Sequence, residues 1–414
     1  MLAEHTMATL EQVSENSPLK SKKNWNQWRA LVAYWILGLC NNYGYVVMLS
    51  AAHDIIKDLE DSGDSTYVPT NDRKCNYAST GIILLADIIP ALAVKFSAPF
   101  LPFYVHIRVA LCVLLAAAGL LLVAFATNEA LAITGVVFTS LSSGLGEVSF
   151  LQYSSFYNKN VVSTWSSGTG GAGILGSLSY ATLATLGLKT ALLIMLVIPA
   201  AMAIAFWIIL PQPDPENHQV TLELQENDAN LIKEPVMKTV MNKVKLIPGL
   251  MIFMIPLGLV YLFEYFINQG LFELIKFDDI FLTTDAQYHW LQVDYQIGVF
   301  ISRSSVNLIH IRRIWLMSIL QFINVIIFTF EAVYFYVPNI WIIFTLVLWE
   351  GLLGGAAYVN TFYKISEEVP DDKKQFSMSV TSVADTIGIT LAGIIAIPSH
   401  NAICSLPKPN RLTF

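Results

Sequence analysis

The chain has 414 residues, 55% of them hydrophobic and only 13% charged, with a mean hydropathy of +0.55. A soluble domain carries about a quarter charged residues, so one soluble globule is excluded and a polytopic membrane protein is expected. The net charge of −7, with no concentrated basic patch, excludes nucleic acid as a partner.

Met1–Asn26 is polar and has no signal-peptide core, so the first span is expected to serve as the signal anchor. Runs long enough to cross about 30 Å of hydrocarbon then fall at 29–52, 77–97, 108–127, 130–155, 161–185, 190–210, 247–275, 287–304, 312–336, 339–363 and 375–398. The eighth is the most polar, with His289, Gln292, Asp294 and Gln296. The resulting organisation is an all-α, major-facilitator-like bundle of about eleven helices in six-plus-five halves. It comprises a cytosolic tail (1–28), a six-helix half (29–210), a flexible cytosolic linker rich in Pro, Glu, Asp and Asn (211–246), a five-helix half (247–398) and a C-terminal tail (399–414). With the N-terminus cytosolic, 17 of the 24 Lys and Arg fall on inner segments and 7 on outer ones, the positive-inside sign. Lys95, Arg108 and Arg303 count as inner in that tally and Arg73 as outer. A weak internal repeat supports two halves: GLGEVSFLQYSSFY (Gly144–Tyr157) and GLLGGAAYVNTFY (Gly351–Tyr363) each occupy the fourth span of their half.

Ionisable residues at membrane depth are costly, about 2.5–3.5 kcal/mol on insertion scales, and normally face a cavity or a partner. At 3.6 residues per turn, Tyr261, Glu264 and Asn268 share one face of the seventh span. Ser143, Glu147 and Ser154 share a face of the fourth. His289, Gln292, Gln296 and Arg303 make a stripe on the eighth, the tenth carries Glu350, Tyr358 and Asn360, and the eleventh pairs Thr381 with Asp385. Spans one, four, seven and ten line the cavity of such a bundle, which places Glu147, Glu264 and Glu350 on three of the four. These carboxylates suit protons or a cationic head group, the latter with cation–π help from Tyr261, Tyr265 or Tyr358. The structural alternative is that each acid is protonated or paired and only holds the bundle together. Arg303 reads as a positive-inside anchor or as an anion site at the cavity mouth, because guanidinium suits phosphate or carboxylate. Glu273 and Glu331, near span ends, are expected at the membrane interface. His53 and Asp54 read as a wetted helix end or an outer gate.

SSGTGGAGILG (Ser166–Gly176) contains G-x-G-x-x-G at Gly168, Gly170 and Gly173, but no strand precedes it, so it is no dinucleotide site. Gly168, Ala172 and Gly176 instead give the small-xxx-small pattern of close helix packing. Cys40, Cys75, Cys112 and Cys404 are scattered, implying neither a metal site nor a disulfide framework. No catalytic motif occurs, so no enzyme and no cofactor is expected.

Seven strings resemble the battenin family of juvenile neuronal ceroid lipofuscinosis: LGLCNNYGYVVMLSAAHDI (Leu37–Ile55), SSGLGEVSFL (Ser142–Leu151), WSSGTGGAG (Trp165–Gly173), EYFINQGLFEL (Glu264–Leu274), VFISRSS (Val299–Ser305), EGLLGGAAYVNTF (Glu350–Phe362) and DTIGITLAG (Asp385–Gly393). The resemblance spans the membrane region but not the N-terminal tail, the 57–76 loop or the linker. It implies a lysosomal and late-endosomal transporter that clears glycerophosphodiesters such as glycerophosphocholine and glycerophosphoinositol. It also implies links to arginine transport, luminal pH, autophagy and vesicle traffic, and functional weight on Glu264, Arg303 and Asp385. The family's C-terminal prenylation box is absent, since Cys404 is followed by SLPKPNRLTF, and no N-x-[ST] sequon occurs. Leu231-Ile232 in the linker resembles an acidic dileucine signal for sorting adaptors. The expected partners are therefore a small-molecule phosphodiester or amino acid, protons, the bilayer and adaptors. A basic amino-acid or nucleoside carrier is the alternative within transport, and a non-transporting trafficking scaffold is the alternative class.

Overall fold

The structure, a computed structural model, describes residues 18–60, 73, 79–183, 186–213, 243–278, 280–282 and 284–411. Among them every regular element is helical, and a helix stands at each of the eleven expected positions. These are α1 (Pro18–Glu60), α2 (Ser79–Ser97), α3 (Val105–Ala124), α4 (Glu129–Ser154), α5 (Asn160–Leu183), α6 (Leu188–Ile209, broken after Ile194), α7 (Ile247–Phe266), α8 (Thr284–Ser304), α9 (Ile314–Tyr334), α10 (Ile340–Glu368) and α11 (Asp371–Cys404). Eight of them are long and apolar enough to cross a membrane; α2, α5 and α8 are not in that set. Asn128 and Asn339 start α4 and α10 by accepting the backbone N–H of Leu131 and Trp341 at 2.9 and 3.0 Å. α11 runs six residues beyond the expected end of its span, to Cys404.

Glycines set how closely the helices cross, and they do so twice over. A Cβ on Gly38 of α1 would meet the Trp165 carbonyl of α5, and one on Gly168 of α5 would meet the Trp35 carbonyl of α1. Gly258 of α7 and Gly388 of α11 oppose each other in the same way. Gly144 of α4 lies on Ala91 of α2, and Gly351 of α10 lies on Tyr295 of α8. Thus the one–five and two–four crossings of the first group of helices recur as seven–eleven and eight–ten in the second. The small-xxx-small run of α5 packs as its spacing requires: Ala172 is fully buried, and Gly176 sits against Val46 of α1. The two groups meet where α5 faces α8 and where α2 and α4 face α11.

The end of the bundle at which α1 starts is here called the N-side. There the groups are tied by Lys159–Glu367 at 2.5 Å, Ser167–Ser304 at 2.8 Å, Asn307 donating to Ser163 at 3.3 Å, and the Phe100–Phe376 ring pair. At the other end the C-terminal tail is strapped down. Arg411 donates to Glu331 Oε1 at 2.6 Å and lies over the Phe277 ring, while Arg73 donates to the carbonyls of Ala332, Val333, Leu406 and Pro407. Both guanidinium groups cover Phe335, whose φ of 50° closes α9 in the left-handed region.

Several sequence expectations are corrected here. Glu331 does not face the interface; it is fully buried and paired with Arg411. Arg73 is not a loop charge but fills a ring of carbonyls. Arg108 is buried too, donating to the carbonyls of Ala98, Leu101 and Pro102 in the turn that leads into α3. Cys404 is disulfide-bonded, against the expectation of no disulfide.

Candidate functional site

Buried charge gathers between the two groups of helices. Lys95, near the end of α2, places Nζ 2.6 Å from Glu147 Oε2 of α4 and 3.2 Å from Asp385 Oδ1 of α11. All three are more than nine-tenths buried. Glu147 Oε1 also accepts from the Tyr358 hydroxyl of α10 at 2.8 Å, and Asp385 Oδ1 accepts from Thr386 N and Oγ1. Lys95 thus links a carboxylate of its own group to one of the other. Its expected place among the inner loop charges was wrong: it lies on the buried stripe Leu84, Asp87, Ile88, Ala91, Lys95 of α2.

Arg303 sits one layer away and is equally buried, not at a cavity mouth. Nη1 donates to Thr169 Oγ1 of α5 and Nη2 to the Tyr261 hydroxyl of α7, both at 2.7 Å, and the guanidinium lies 4.4 Å over the Tyr358 ring. Gly170 leaves room on α5, since a Cβ there would crowd Phe300 and the Arg303 side chain. Nε has no partner, and among the described residues no carboxylate oxygen lies within 4.0 Å of the guanidinium. A buried cation held by neutral hydroxyls, with a donor to spare, is suited to receive an anion.

Tyr261, Glu264 and Asn268 share the buried face of α7 as their spacing requires, but they divide their work. Tyr261 holds Arg303, while Glu264 Oε1 accepts a short hydrogen bond from the Tyr295 hydroxyl of α8. Glu350 is fully buried on α10. Gln296 does not join them: its amide lies against Gly173 on α5, at the seam between the groups. Gln292 donates to the Asn268 carbonyl at 3.3 Å. The side chains of His289, His53 and Asp54, and the whole of Leu231 and Ile232, lie outside the described residues. Lys95, Thr169, Tyr295 and Trp165, whose Nε1 donates to the Tyr358 hydroxyl at 3.3 Å, are the members of the cluster that the sequence reading missed.

Comparison with known proteins gives the family and the fold. Residues 32–406 match the family model described as CLN3 protein. The chain belongs to that family. It is 40% identical to battenin of Canis lupus familiaris, over 96% of both chains. It is also 36% identical to the btn1 protein of Aspergillus fumigatus, over 91% of this chain and 88% of that one. Among solved structures, this CLN3-family chain is similar to the human organic anion transporter MFSD10 (TETRAN), with TM-score 0.61 and 12% identity over 92% and 96% of the two chains. It is also similar to PepTSo2, with TM-score 0.52 and 9% identity over 91% and 94%. At those identities the likeness is one of fold, and the fold is major-facilitator-like. The protein is therefore a multi-pass membrane protein of the CLN3 family with a major-facilitator-like fold.

Proposed function

We propose that this protein exports glycerophosphodiesters, such as glycerophosphocholine and glycerophosphoinositol, across the lysosomal and late-endosomal membrane, with its N-side toward the cytosol and with coupling to protons. The observation that carries this reading is Arg303. A buried guanidinium with no carboxylate of the described residues at contact distance and an unpartnered Nε favours an anionic phosphodiester over a second guanidinium, and so over arginine, as the ligand of that position. Thr169 and Tyr261 orient the guanidinium, and Tyr358 supports it from below. A positive counterpart, either an ammonium head group or a proton, belongs on the Glu264 side, with Tyr261 and Tyr265 close by.

Two ion pairs, Lys95 to Asp385 and Lys159 to Glu367, join the groups on the N-side beside the Ser167–Ser304, Asn307–Ser163 and Phe100–Phe376 contacts. Opening toward the cytosol requires all of these to break. The ligand bound at Arg303, one layer from Glu147 and Tyr358, is placed to bias that step, since a ligand shifts a two-state equilibrium only through contacts that differ between the states. The scaffold alternative gives no account of why Lys95, Glu147, Arg303 and Asp385 are buried where the helix groups meet.

The test is uptake of labelled glycerophosphocholine into proteoliposomes under a pH step. Wild type accumulates the label above empty liposomes, and Glu264→Gln loses most of the pH-driven part. Equal uptake by wild type and Glu264→Gln removes the carboxylate from the mechanism. No uptake above empty liposomes removes the substrate.

A further inference from the structure

Beyond the Arg303 layer lies a second, oxygen-lined face between α7 and α10. These helices run antiparallel. Gly354 of α10 is level with Glu264 of α7, because a Cβ on Gly354 would run into the Glu264 carboxylate. One turn back on α10 is Glu350, and one turn on along α7 is Asn268, so these two share the next level. From α8, Tyr295 donates to Glu264 Oε1 and Gln292 to the Asn268 backbone carbonyl. Four acceptors then have no hydrogen-bond partner among the described residues: Glu264 Oε2, both Glu350 oxygens and Asn268 Oδ1. Their residues are 1%, 0% and 2% exposed. At this same level α7 gives way to the π-turn Ile267–Leu271, a distortion frequent at functional sites.

The chemistry of the set narrows its ligand. The unpartnered atoms are all oxygens, two of the residues are ionisable, and among the described residues Tyr295 donates to Glu264. Among the described residues no group of three His, Cys, Asp or Glu side chains could hold a metal ion, which sets transition metals aside. Hard oxygen ligands suit a small monovalent cation. We propose that Glu264, Glu350 and Asn268 form a site for one such cation, a proton shared by the two carboxyl groups or a sodium ion, bound separately from the anion at Arg303. This rests on the transport reading above and names the coupling ion for it. The other groups facing the site are Arg303 on α8, Asp385 on α11, Tyr358 on α10, Tyr261 and Tyr265 on α7, and Tyr45 on α1. α9 presents the neutral Gln321 and Asn324 to the interior.

The experiment uses the purified full-length protein and needs no transported substrate. Its melting temperature is followed between about pH 5 and 8, and at fixed pH with sodium chloride exchanged for choline chloride. A proton site gives a wild-type shift with pH, at least half of which is lost in Glu350→Gln, and no sodium effect. A sodium site gives a rise with sodium over choline that Glu350→Gln and Asn268→Ala abolish. Identical pH and sodium responses in wild type and Glu350→Gln overturn the proposal. Should Glu350→Gln not fold, Glu350→Asp, which withdraws the carboxylate by one methylene, must weaken the same shift. Glycerophosphocholine uptake run in parallel separates the two failures. A wild type that moves no label but keeps the Glu350-dependent shift overturns the substrate reading alone. A Glu350→Gln protein that accumulates label as steeply as wild type under pH and sodium gradients overturns the coupling site alone.

Discussion

Lys95→Met keeps the apolar stem of the side chain and removes its ammonium. Glu147 then retains Tyr358, and Asp385 retains Thr386, but two carboxylates face each other in a buried site without the cation that lay 2.6 and 3.2 Å from them. Removing one partner of a buried pair costs about 3–5 kcal/mol, because the charge left behind is not resolvated. Asp385→Asn is milder, since Lys95 keeps its shorter bridge to Glu147; the loss is about 1.5–3 kcal/mol, that of one hydrogen bond to a charged group. In the double variant only Glu147 remains charged, and it keeps its tyrosine. The double loss should therefore fall short of the sum by about 0.5–3 kcal/mol. Reversible unfolding of the purified protein in mixed micelles, followed by far-ultraviolet circular dichroism, measures all three. A cost below about 1 kcal/mol for Lys95→Met, or strict additivity with Asp385→Asn, would show that the triad is not the buried bridge described.

Arg411→Ala strands Glu331, whose remaining hydrogen bonds are from the Tyr336 and Val337 N–H groups; the expected loss is about 3 kcal/mol by the same unfolding assay. Gly168→Ala forces α5 off the Trp35 carbonyl and costs about 1–3 kcal/mol. Gly249→Ala, with nothing within 4 Å of the new methyl, is neutral or gains about 0.5 kcal/mol. Lys159 lies outside the spans, and its hydrogen bond to Glu367 holds its ammonium above the ordinary lysine value. A raised folded value means the link is complete below the unfolded lysine value of about 10.4 and is lost as pH rises through the folded one. Distances between spin labels at positions 158 and 368 should therefore hold steady between about pH 5 and 8 but lengthen in Lys159→Ala and at high salt.

Much of the architecture is legible in the sequence, because apolar length in a bilayer is a strong constraint. Eleven helices stand where the apolar runs fall, and Glu147, Glu264 and Glu350 sit on the fourth, seventh and tenth. Helical spacing correctly grouped Tyr261, Glu264 and Asn268. It could not say that the first holds Arg303 while the second meets Tyr295, because partners on other helices leave no trace in one helix's periodicity. Lys95 was misplaced by treating every basic residue near a span end as a loop charge. The signal against that was present: the residue falls inside the 77–97 run and continues its buried stripe through Leu84, Ile88 and Ala91. Arg73 and Arg108 were misread for the same reason. Arg73 binds carbonyls at the ends of α9 and α11 and Arg108 binds those of the turn before α3, and such sites exist only once the chain has folded. The disulfide at Cys404 was missed because spacing along the chain does not say which cysteines meet in space.

The central claim is that Arg303 is the anion anchor of a transport site. Equilibrium binding of glycerophosphocholine to the purified protein in nanodiscs, wild type against Arg303→Gln and Arg303→Lys, tests it most directly. One charge-assisted contact is worth about 1.5–3 kcal/mol, so Arg303→Gln should weaken Kd by at least about tenfold. Arg303→Lys should not restore it, since an ammonium cannot reach Thr169, Tyr261 and a phosphate at once. Equal Kd for wild type and both variants would contradict the account.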